Sequence, residues 1–96
     1  MFARLRFVDQ QQYERMRARL LAALADHERG DLDHAGLQAA VEAVQGTLDN
    51  ARPEVRRALF EADVALEYAQ HGSPREGSDT AAVLKRVRRN LREVLG

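Results

Sequence analysis

Lys85, Arg88, Arg89 and Arg92 recur at i, i+3, i+4 and i+7, which on a helix makes one cationic stripe. Such a stripe suits an acidic protein surface or a run of phosphates, and it equally suits a solvated face near a helix C-terminus, where the macrodipole favours cations. A second group, Asp26, His27, Glu28, Asp31, Asp33 and His34, crowds metal-ligand types around one turn, with His27 and His34 facing each other across a helix hairpin. Ligand types without a ligand spacing do not make a metal site, and Asp31 and Asp33 suit turn and cap positions, so no metal is assigned. His71 has no serine, cysteine or carboxylate aimed at it by spacing, and no catalytic residue or cofactor is assigned.

The third group is apolar. Phe60, Val64, Tyr68 and His71 recur at i, i+4, i+8 and i+11, on the same segment as a second stripe of Val55, Leu59, Ala62, Leu66 and Ala69. The two stripes lie more than a quarter turn apart, so this helix needs cover on two sides, from neighbours at the centre of a bundle or from another chain. The segment from Pro53 to His71 is therefore expected to be sheltered around most of its circumference.

The elements that position these groups are legible as helices. Asp9 with Gln12 reads as an N-cap and capping-box partner, and Val8 with Tyr13 as a hydrophobic staple, which starts a helix at about Gln10. Tyr13, Met16, Leu20, Ala23 and Leu24 continue it to Gly30, a C′ residue with Leu32 as the apolar C″ contact. Asp33 caps a second helix with a stripe of Leu37, Ala40, Val41, Val44 and Leu48, running towards Asn50. Gly46 either weakens its interior or marks a close helix contact. Pro53 as N1 opens the third helix, Glu54 favours its dipole, and Gly72, Ser73 and Pro74 stop it. After a polar loop from Arg75 to Ser78, Asp79 caps a fourth helix whose apolar stripe is Leu84, Val87, Leu91 and Leu95. The period of residues 1–8 is ambiguous between a packed arm or helical extension and a strand that would have to pair with another chain.

The expected fold is therefore all-α, a compact antiparallel bundle of four amphipathic helices at about 10–29, 34–49, 53–71 and 80–95, with an N-terminal arm over 1–8, in a single domain. Ninety-six residues allow one modest core, and 45% apolar with 31% charged residues at zero net charge fit a globular chain. No cysteine is present, which excludes disulfides and thiolate zinc sites. The longest apolar run, Leu20 to Ala25, is far too short to span a membrane, and no secretory signal is visible. A cytoplasmic location is the resulting expectation.

Basic residues need to be weighed with care, because 14 Arg against 1 Lys, 16 Ala and no Ile is the bias that a GC-rich coding sequence imposes. Their placement carries more than their number. The first and fourth helical segments are basic and the second and third acidic, so they can pair electrostatically within one bundle or between two copies. A helix-turn-helix on the middle helices fails, since Gly46 as the turn glycine puts Glu42 at a tight packing position and Pro53 inside the recognition helix.

These readings favour a non-enzymatic bundle that works through protein–protein contact, as a homodimer or other homo-oligomer or with a protein partner. Phe60, Val64, Tyr68 and His71 are the candidate contact residues, and Lys85, Arg88, Arg89 and Arg92 are candidates for an acidic partner or phosphates. An inhibitor, antitoxin or immunity-type role would be one form of this. The alternative is accessory nucleic-acid binding through the last helix, against which stand the zero net charge and the lack of aromatics among the cations. No small-molecule substrate and no membrane contact is indicated.

Overall fold

A computed structural model describes residues 2–47, 51–71 and 77–96, with side chains described over 10–47, 51–71 and 80–96. The described residues form four helices in order: α1 (Phe2–Arg29), α2 (His34–Thr47), α3 (Pro53–His71) and α4 (Gly77–Leu95). No strand occurs among the described residues. Helix α1 packs on α2 and α4, and α3 packs on α2 and α4, so α1 and α3 sit across the diagonal of the bundle. The hydrogen bonds fix the directions. Gln38 near the start of α2 meets Asp63 and Glu67 late in α3, while Arg17 of α1 and Arg52 before α3 reach the carbonyls of Leu95 and Val94 at the end of α4. Neighbouring helices are thus antiparallel.

The core is the set of apolar residues that recur in threes and fours. Leu20 and Leu24 of α1, Leu37, Val41 and Val44 of α2, Val55, Leu59, Ala62 and Leu66 of α3, and Leu84, Val87, Leu91 and Leu95 of α4 are all buried. Ala58 joins them, and Tyr13, Met16 and Ala23 pack on the rim. Truncating a fully buried leucine such as Leu91 removes about 2–5 kcal/mol, a large part of the roughly 5–15 kcal/mol that holds a domain folded.

The junction between α1 and α2 is built from local hydrogen bonds. Gly30 has φ of +85°, a conformation that L side chains avoid. Its N–H bonds to the His27 carbonyl at 3.1 Å and the Asp31 N–H to the Asp26 carbonyl at 2.8 Å, the pair that defines a Schellman ending. The C″ residue is therefore Asp31. Leu32, expected at that position, comes one residue later and folds back over the start of α2. There the Asp33 carboxylate accepts the Gly36 N–H at 2.8 Å as an N-cap. A side chain at position 36 would overlap Leu32, so glycine is what lets the two approach.

At α3, the Arg52 carbonyl accepts the N–H groups of Val55 and Arg56 at 3.0 Å, which places Pro53 at N1 as expected.

The structure corrects four expectations. Helix α1 does not begin at Gln10: it runs unbroken from Phe2 through Asp9, so Asp9 lies inside the helix and residues 2–8 are a helical extension. The reason is composition, since Ala, Leu, Arg and Gln are good helix formers and no Gly or Pro precedes Gly30 to stop the chain. Helix α4 starts at Gly77, which puts Asp79 inside its first turn and Ser78 in the helix. Gly46 marks no close helix contact, as a side chain there would meet nothing. Last, α3 is not sheltered around most of its circumference, because in a four-membered ring each helix has only two neighbours and keeps an outward face. Leu48, Asn50 and the stop at Gly72, Ser73 and Pro74 lie outside the described residues.

Candidate interaction surface

The outward face of α3 carries Phe60, Val64 and Tyr68, which are 61%, 49% and 53% exposed, and they are the exposed large apolar side chains among the described residues. They stand one turn apart because their spacing is four, and they are turned away from Val55, Leu59, Ala62 and Leu66, which the bundle buries. With Val83, Arg86 and Val87 of α4 they line an open groove of about 720 Å³. The described residues thus do not supply the expected shelter.

Along the opposite flank of the stripe, towards α2, the surface is acidic. Glu42, Asp63 and Glu67 border a second recess that also involves Val64, Tyr68 and His71. Hydrogen bonding to Asp63 and the charge of Asp63, with a smaller contribution from Glu67, raise the Glu42 carboxyl above its ordinary value, as expected when carboxylates crowd each other. The neutralising groups nearby are amides: Gln38 Nε2 donates to Asp63 at 3.0 Å and to Glu67 at 3.1 Å, and Gln70 donates to Gln38. His71 lies exposed at the end of this recess, 4.0 Å from Glu67, so of the four residues proposed for the contact stripe it is the one set among acids.

The cationic stripe of α4 is not one surface. Arg92 forms an ion pair with Glu28 of α1 at 2.6 Å, and that hydrogen bond and charge hold the Glu28 carboxyl below its ordinary value. Arg88 turns into the α1–α4 seam, where Nη1 donates to His27 Nδ1 at 3.1 Å and its buried Nε has no hydrogen-bond partner. Lys85 and Arg89 remain exposed. Two of the four cations are therefore engaged with the C-terminal turn of α1, where the dipole of that helix also favours them.

His27 and His34 do meet across the hairpin, with Nε2 and Nδ1 2.9 Å apart and ring centroids 5.1 Å apart. Guanidinium only donates, so His27 Nδ1 accepts from Arg88 and His27 Nε2–H donates to His34 Nδ1. The rings hydrogen-bond to each other, an arrangement that directs no pair of lone pairs at a common point. No group of three or more His, Asp or Glu residues suited to a metal occurs among the described residues. Sequence reasoning did not identify the burial of His27, nor the acidic cluster, whose members come from two helices 21 or more positions apart. The signal for the cluster was only the acidic balance of the middle helices.

No protein-family model matches the chain, and no curated protein or solved structure shows significant similarity to it. Among the described residues no helix is long and apolar enough to cross a membrane.

Proposed function

We propose that this chain is a non-enzymatic helical module that acts through protein–protein contact, with Phe60, Val64 and Tyr68 as its apolar anchors. The observation that carries the reading is the row of two aromatics and a valine, between 49% and 61% exposed, on a helix whose other side is committed to the core. Aromatic side chains in a continuous patch are favoured anchors at interfaces, whereas a lone exposed apolar residue is ordinary. The groove beside them gives an entering side chain walls from two helices. They stand outside the buried core set of Val55, Ala58, Leu59, Ala62 and Leu66, so a change there is expected to affect binding more than stability. An inhibitory, antitoxin or immunity-type role would be one use of such a surface.

The test is Tyr68→Glu. It places a charge within the patch and is expected to weaken association at least about tenfold, with helix content by circular dichroism unchanged. An unchanged mass by light scattering, with no partner lost, contradicts the reading.

A further inference from the structure

The two flanks of the exposed α3 stripe differ in charge. Towards α2, Glu42, Asp63 and Glu67 border a recess whose walls include Val64 and Tyr68. Towards α4, the same Val64 and Tyr68 share a groove with Arg86. Arg86 is exposed, and among the described residues no ion pair engages it, Glu61 on the same side included. One apolar stripe therefore stands between three carboxylates from α2 and α3 and one guanidinium from α4. The carboxylates already crowd each other, since Asp63 raises the Glu42 carboxyl above its ordinary value. Within the chain, Asp63 and Glu67 are met by the Gln38 amide, which donates hydrogen bonds without bringing a charge, and Glu67 also has His71 4.0 Å away.

Resting on the interaction reading above, we infer that this face is covered by the same face of a second copy, with the two α3 helices parallel and Arg86 of each chain against Glu42, Asp63 and Glu67 of the other. A two-fold pairing of one face with itself has two simple forms. With the axis across α3, the helices run antiparallel and each flank meets its own copy. Six carboxylates then gather on one side, and Arg86 faces Arg86 on the other. With the axis along α3, the helices run parallel, the apolar stripes still meet, and the α2 flank of one chain lies on the α4 flank of the other. Each acidic group then gains a guanidinium, and the two acidic groups are kept apart on opposite sides of the apolar seam. Like charges brought together at an interface cost more than an apolar seam gains from either orientation, so charge selects the parallel form.

Charge reversal in the full chain tests this, with association followed by sedimentation. Arg86→Glu, and separately Glu42→Arg with Glu67→Arg, are each expected to weaken self-association at least about tenfold, because each repeats its like-charge contact on both sides of the axis. The three changes together in one chain are expected to restore it to within about threefold of the parent, since every cross-chain pair is then again of opposite sign. Circular dichroism on each variant checks that the fold is kept. Reversals that weaken association with no recovery in the triple variant overturn the inference. A dimer weakened by Tyr68→Glu and indifferent to both reversals also overturns it, as the antiparallel form requires, and leaves the interaction reading standing. A chain that is monomeric at every concentration overturns it too, and the interaction reading is then decided by whether Tyr68→Glu costs the chain a protein partner. A dimer indifferent to Tyr68→Glu and to both reversals removes both.

Discussion

Among the described residues His27 is the buried polar side chain, and both of its ring nitrogens are engaged, one by Arg88 and the other by His34. That arrangement holds only while the ring is neutral. Burial, then the charge of Arg88 and that of His34, push its pKa below the ordinary 6.5, with Asp33 pulling the other way. The folded chain therefore binds the proton less readily than the unfolded chain. The stability contributed by neutral His27 is complete above pH 6.5, and it is lost as the pH falls from there through the folded value. The denaturant midpoint is accordingly expected to decrease as the solution is acidified below pH 6.5, and much of that slope should vanish in His27→Gln, which does not titrate there. A midpoint that stays flat in the parent, or falls equally in the variant, counts against this account. Sequence alone does not separate His27 from His34 or His71, because its burial depends on Arg88, which lies 61 positions away.

At the scale of the element, the periodic stripes and caps of α2 and α3 were legible because each depends on residues close in sequence: Asp33 three positions before Gly36, or Pro53 beside Arg52. The start of α1 was misread for the same reason. Asp9 with Gln12 has the composition of a cap, but a cap exists only where the preceding residues leave the helix, and nothing in residues 2–8 makes them leave. Gly46 offers a clean test of local propensity within α2. Its backbone is helical and a methyl group there would touch nothing, so Gly46→Ala is expected to stabilise the protein by about 0.5–1 kcal/mol. That corresponds to a rise of a few degrees, at roughly 4–8 °C per kcal/mol for a domain of this size, read as a shift in thermal midpoint. A fall in the midpoint would contradict this reading of position 46.

The whole molecule buries one stripe of each helix in a single core and leaves the second stripe of α3 outside it. The sequence showed both stripes and the need for cover; it could not show that a ring of four helices leaves the outward face of α3 open, since that follows from which helices are neighbours. It also showed the acidic balance of the middle helices without showing that Glu42, Asp63 and Glu67 come together on the α2 side of that face. The account proposed from this geometry is that the exposed face of α3 is a contact surface at which the chain associates with a second copy. Its most direct test is to follow the Phe60 and Tyr68 ring and Val64 methyl resonances of the 10.8 kDa chain by NMR from dilute to concentrated solution. The account predicts that these signals shift together along one binding curve while the methyls of buried Leu24 and Leu91 hold still. Signals from all three residues that are independent of concentration would contradict it.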